Sequence, residues 1–274
     1  MWAVTGVNQV MAEPVAVVAS FTILADMVRV IGEDRVQVTT LVGPDGDAHA
    51  YQPTPVDARA VSQAQVLVIN GLGFEGWMER LAQASGFKGR MVKASTGVKQ
   101  LGQDPHAWQD LNNAKFYIDN ITRVLTEVDP ERAPAYRQAS EHYRADLQAL
   151  DTEIRHQLAE LPPQRRKVIT SHDAFGYFSA AYGITFLSPV GVNSEAEISA
   201  ADMARIIRQI RSEGVKALFI ENISNPKVAQ RLAQETGAKM GGRLYSDALS
   251  GADGPAASYL DMFRHNVATL LRIM

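Results

Sequence analysis

From Tyr136 to Leu161 the residues Tyr136, Ala139, Tyr143, Leu147, Leu150, Ile154, Leu158 and Leu161 recur by threes and fours without a break. That spacing lays one apolar face along a single α-helix. Pro134 stands near the start, where proline is tolerated, and Pro162-Pro163 ends the run. A helix from Glu131 to Leu161 would be a rod of roughly 45 Å, longer than a small domain is wide. Such a stripe could also serve a coiled coil. Its surroundings favour another use, because short apolar runs alternate with helical stretches on both sides of it. The stretch reads as a stiff spine joining two α/β halves.

In the first half, Val15–Ser20 is a short apolar run of the kind buried on both faces of a parallel sheet. A helix over Phe21–Ile31 follows, with Gly32 suited to its C-terminal cap. Strand Val36–Leu41, helix Pro55–Gln63, strand Val66–Asn70, helix Glu75–Ser85, strand Met91–Ala94 and a helix from Leu111 to Val128 complete it. Thr54, Pro55 and Asp57 form a capping-box start for the second of these helices. After the spine the pattern returns: strands Lys167–Thr170, Ile184–Leu187, Ala217–Glu221 and Arg243–Tyr245 alternate with helices Ala174–Tyr182, Ser199–Glu213, Pro226–Thr236 and Ala257–Met274. The predicted fold class is α/β: two lobes, each a mainly parallel sheet flanked by helices, bridged by one long helix. The expected division is 14–129, 130–161 and 162–274. Residues 1–13 read as a signal remnant or an appended tail, since Val10-Met11-Ala12 resembles the small-residue end of a secretory signal.

At 46% apolar residues, the chain can build two cores. Its net charge of −3 and lack of a basic cluster argue against nucleic acid. The absence of cysteine excludes a thiolate metal site and a disulfide framework. No apolar run reaches the length of a membrane span.

Chemistry is concentrated where strands end. His49 lies between the strand at Val36–Leu41 and the capped helix at Pro55. His106, His172 and Asp247 occupy comparable junctions, in Asp104-Pro105-His106-Ala107-Trp108, Ser171-His172-Asp173-Ala174-Phe175 and Tyr245-Ser246-Asp247-Ala248-Leu249. Each alone would be a surface or turn residue; together, three imidazoles and a carboxylate make a tetrahedral zinc set. Each half supplies two of them, from the strand ends where open α/β sheets bind ligands. Asp47, Asp104 and Asp173 are placed to orient an imidazole through its second nitrogen, and Glu221 ends a strand nearby. Glu195 and Glu197 are candidates for the cleft rim, with solvated loop carboxylates the blander reading. His142, His156 and His265 are assigned to solvent, and Trp77 and Trp108 to packing.

These motifs, with Asn70-Gly71-Leu72-Gly73-Phe74-Glu75, make the chain from Val15 onward resemble the zinc and manganese solute-binding proteins of ABC importers, the cluster A-I family. The resemblance implies two lobes with metal between them, held by His49, His106, His172 and Asp247. It also implies a periplasmic, soluble receptor, expected to be a monomer, that hands metal to an ABC permease in the inner membrane, with a zinc chaperone as a conceivable donor. Zinc is the expected cargo and manganese the lesser candidate, because manganese-directed members tend to carry glutamate at the place of His172. Zinc-type members often carry a histidine-rich loop before the second ligand; Ser95–Asp104 is short and has no histidine. The alternative is a metalloenzyme, a zinc hydrolase or an iron or manganese superoxide dismutase, on the same four residues. Four protein ligands leave no coordination position for water in a tetrahedron, and no general base stands beside them, so the chain is expected not to be an enzyme.

Overall fold

The computed structural model describes residues 13–192 and 199–274. The first half runs β1 (Val15–Phe21), α1 (Thr22–Gly32), β2 (Val36–Val42), α2 (Pro55–Gln63), β3 (Val66–Ile69), α3 (Met78–Ala84), β4 (Arg90–Lys93) and α4 (Leu111–Val128). The long helix α5 (Ala133–Ala159) follows. The second half runs β5 (Lys167–Ile169), α6 (Gly176–Tyr182), β6 (Thr185–Leu187), α7 (Ala200–Glu213), β7 (Ala217–Glu221), α8 (Pro226–Thr236), β8 (Lys239–Leu244) and α9 (Tyr259–Leu271). The sheets are ordered β2-β1-β3-β4 and β6-β5-β7-β8, with every neighbouring pair parallel. The same strand order therefore appears twice, and in each sheet the chain reverses direction of travel beside its first strand. That reversal opens a crevice at the carboxyl ends of the strands.

Local chemistry sets most element ends. Thr54 and Asp57 form the full capping box at α2, and Ser199 caps α7 by accepting from the Asp202 N–H. Gly183, Gly214 and Gly237 close α6, α7 and α8 in the left-handed region. Two ends differ from expectation. At α1 the positive φ falls on Glu33, at 51°, and not on Gly32. Gly32 is required for space instead, since a Cβ there would lie 2.3 Å from the Val36 side chain. Helix α3 starts at Met78 and not at Glu75. Glu75 is buried, and its carboxylate accepts from the backbone N–H groups of Asn70 and Gly71 and from the Ser20 hydroxyl.

The spine is shorter than its stripe suggested, 27 residues or about 40 Å. It packs against α1 and α4 of the first half and against α6 and α9 of the second. One apolar cluster consequently runs from Val17 and Val68 in the first sheet, through Tyr143, Leu147 and Ile154 on α5, to Phe178, Phe219 and Phe263. A second, smaller cluster of Ile169, Ile206, Ile210, Leu218 and Leu232 lies under α7 and α8. Two separate cores were expected, but the main core is common to both halves. Lobe boundaries at 129/130 and 161/162 are accordingly a proposal about chain organisation and not about separate packing units. Buried Asp151 on α5 reinforces the junction: it accepts from Arg155 at 2.8 Å and from the Tyr182 hydroxyl at 2.9 Å.

Polar bonds close the seam from the other side. Leu249 donates to the Thr22 hydroxyl at 2.8 Å, and Asp45 donates to the Leu249 carbonyl at 3.0 Å. Trp108 Nε1 and Gln109 Nε2 both donate to the Ser246 carbonyl, at 2.9 and 2.7 Å. With a common core and these bonds, hinge opening would expose apolar surface at about 25 cal/mol per Å². Small-angle scattering should therefore give a radius of gyration near ~19 Å, as for a compact chain of this length, that stays the same within error in metal-free and metal-loaded protein. A large contraction on adding metal would contradict the shared core.

Candidate metal centre

Each of the four junction residues is fixed by its own loop. His49 leaves β2 through Asp45, whose φ is 55°, and its backbone N–H donates to Asp47 at 2.9 Å. Trp77 Nε1 donates to the Ala48 carbonyl at 2.8 Å, and the His49 ring meets Phe74 edge-on at 4.6 Å. His106 follows β4. Asp104 Oδ1 accepts both from its backbone N–H, at 2.9 Å, and from its ring Nδ1, at 2.7 Å. Asn70 anchors the same loop by donating to the Pro105 carbonyl at 2.9 Å. Gly176 of the second half lies against Asp104, where an added Cβ would be 2.3 Å from the carboxylate.

His172 follows β5, and the residue behind it is Glu221, fully buried at the end of β7. Glu221 Oε1 accepts from the N–H groups of Ser171 and His172 at 2.8 Å each. Its Oε2 lies 2.7 Å from His172 Nδ1, an ion-pair distance off the direction of a well-aligned hydrogen bond. The orienting part expected of Asp173 thus falls to Glu221, while Asp173 is exposed and donates its N–H to Gly191 at 3.2 Å. Asp247 follows β8, held by the bonds from Trp108 and Gln109 to Ser246. Trp108 also packs edge-on to His106, so the tryptophans assigned to packing set the site's loops in place.

The four side chains converge. His49 Nε2 is 3.2 Å from His106 Nε2 and 3.3 Å from Asp247 Oδ2. His172 Nε2 is 3.2 Å from Asp247 Oδ2, and His106 Nε2 is 3.6 Å from Asp247 Oδ1. All four donor atoms lie within 4.8 Å of one another. A tetrahedron with bonds of 2.0–2.1 Å has edges of about 3.3–3.4 Å, close to the four separations of 3.2–3.6 Å. Asp247 Oδ1 is buried and makes no hydrogen bond, and such an orphaned oxygen needs a cation or a donor. Among the described residues, imidazoles are the only ion-pair partners of Asp104, Glu221 and Asp247. Three buried carboxylates with no lysine or arginine beside them favour an added positive charge.

The other histidines stay apart. His142 and His156 are exposed on α5. His265, expected in solvent, is half-buried: its Nε2 donates to the Arg243 carbonyl at 3.0 Å and its ring meets Tyr245 edge-on. Glu195 and Glu197 lie outside the described residues.

The electrostatics follow from this packing. Burial by itself pushes the His106 and His172 imidazoles down, but the Asp247 charge with Asp104, and Glu221 with Asp247, more than offset it and raise both above the ordinary value. Burial pushes Asp247 up, and His106 and His172 more than reverse that, holding it well below the usual carboxylate range. A raised imidazole stabilises the fold fully below its unfolded value near ~6.5 and loses that contribution as pH rises through the folded value. Asp247 contributes above its ordinary value and loses that as pH falls through its depressed one. Metal-free protein should therefore lose thermal stability as pH rises above about 6.5, while the increment gained on adding metal grows over the same range as protons leave the ring nitrogens. Melting curves with and without metal across pH would show this; parallel slopes would contradict it. Glu221→Gln keeps an acceptor for the two backbone N–H groups but removes the charge beside Nδ1. It should weaken metal binding by roughly 10–100-fold in a chelator competition, with His156→Ala unchanged.

Residues 17–273 match the family described as zinc-uptake complex component A, periplasmic. The manganese-binding lipoprotein MntA of Halalkalibacterium halodurans is 33% identical, over 94% of this chain and 88% of its own. The iron-binding protein YfeA of Yersinia pestis is 31% identical, over 95% and 86%. The structure of the periplasmic zinc-binding protein TroA from Treponema pallidum superposes with a TM-score of 0.91 at 29% identity, over 95% of this chain and 99% of that one. These relatives are named as metal-binding proteins and not as enzymes. The chain belongs to the periplasmic zinc-uptake component A family of metal-binding receptors.

Proposed function

We propose that this chain captures zinc between its two halves on the periplasmic side of a membrane and delivers it to an ABC-type permease. As a family member it is a metal-binding receptor of ABC metal transporters; zinc as cargo and the four ligands are our reading. The observation that carries it is the convergence of three imidazoles and the Asp247 carboxylate, with donor atoms within 4.8 Å of one another. Imidazole suits zinc, whereas manganese favours carboxylates and a higher coordination number. The Irving–Williams order already places zinc above manganese at a mixed nitrogen and oxygen site. The relatives named above bind manganese, iron and zinc, so family membership and cargo are separate questions.

Capture exchanges protons for metal. Asp104 and Glu221 hold His106 and His172 with Nε2 turned inward, so the ion meets donors already oriented. The shared core and seam bonds limit hinge motion, so release proceeds through loop shifts and slight tilts, imposed by the permease on both halves. No helix among the described residues is long and apolar enough to cross a membrane; in this reading the receptor works as a monomer beside its permease. A zinc chaperone upstream is compatible with the site and not required by it.

Competition titrations against a chelator of known affinity test the cargo. Zinc should bind well ahead of manganese at neutral pH, and His172→Glu should narrow the gap. Alanine at His49 or His106 should weaken zinc binding far more than alanine at His142. Equal or tighter manganese binding by the unaltered chain would leave the receptor in place with a different cargo.

A further inference from the structure

Three of the four donors are closed off from solvent: the side chains of His106 and Asp247 are 0% exposed and that of His172 is 2%. His49 is the exception at 7%. It forms the floor of a cavity of about 370 Å³, walled by Tyr51, Gln52, Phe74, Trp77 and Arg80. One water occupies about 30 Å³ of liquid, so the space far exceeds what a bare ion needs. Arg80 at its rim is exposed, and its guanidinium has no hydrogen bond or ion pair among the described residues. The adjacent acid, Glu79, is taken by Lys93 at 2.9 Å.

A lone guanidinium repels a free divalent cation and attracts an oxyanion, which it can grip bidentately. We infer that this cavity is a docking vestibule for small anionic metal chelates, in which Arg80 holds a carboxylate or phosphate group while the metal passes between the chelate and His49. The inference rests on the metal-receptor reading above and adds the route and the form in which cargo travels. In the exchange, one metal–oxygen bond to the chelate breaks as the bond to His49 Nε2 forms. The freed oxyanion remains on Arg80 until it leaves, and no electrons are transferred. His49 suits this part because, of the four donors, its side chain is the most exposed and lines this cavity.

The test uses the whole chain loaded with zinc, its stoichiometry measured first; failure to retain zinc would sink the zinc-cargo reading on which this inference rests. Zinc removal is then followed by stopped flow with a carboxylate chelator (nitrilotriacetate), a phosphate chelator (tripolyphosphate) and a neutral one (terpyridine). Removal by at least one anionic chelator should saturate with its concentration, and Arg80→Gln should slow it about tenfold while leaving terpyridine unaffected. The anion that shows the effect identifies the group Arg80 prefers. Gly76→Trp, at a position where an added Cβ meets no atom within 4 Å, should partly fill the cavity and slow all three, with zinc affinity at equilibrium unchanged for both variants. Anionic removal rates insensitive to Arg80→Gln would overturn the docking role. Rates unchanged in a folded Gly76→Trp protein would overturn the route.

Discussion

The Asp247 carboxylate, buried among three imidazoles, is the constraint on which the rest of the structure depends. A buried anion is tolerated only where positive charge or hydrogen bonds surround it. Here the surroundings are His49, His106 and His172, drawn from both halves. Behind two of those rings stand further buried carboxylates, Asp104 and Glu221, at 2.7 Å each. The carboxylates thus concentrate negative charge that the imidazoles offset; in the function proposed above, a divalent ion would offset it further.

That centre can be compact because the two halves pack on a common core. The strand ends that carry the four residues belong to halves joined by one apolar cluster that crosses α5. The Asp247 loop, although covalently part of the second half, is hydrogen-bonded to Trp108, Gln109 and Thr22 of the first. The scaffold supplies a frame common to both halves; in the function proposed above, the choice of ion rests with the donor atoms that this frame brings together.

Much of this was legible in the chain itself. The strand and helix alternation, the capped start at Thr54 and the stripe on α5 are local signals, set by spacing along ten to thirty residues, and they gave fold class and element order correctly. The four junction residues were legible for the same reason, each being a polar residue just beyond a strand end. Glu221 was visible as the acid closing an apolar strand, but nothing local distinguished it from Asp173 as the partner of His172. Gly32 was misread because helix-cap statistics describe backbone conformation, and its actual constraint is the side chain of Val36.

Periodicity and residue type alone give the two-lobed α/β order and the linking helix, and they mark four polar residues just past strand ends. The packing of distant segments decided that the halves share a core, that Glu221 and not Asp173 backs His172, and that His49 lines a cavity. These depend on contacts between residues far apart in the chain, 49 positions for Glu221 and His172 and 138 for Trp108 and Ser246. Distances of that kind are set by how sheets and helices pack, and no pattern within a single element encodes them.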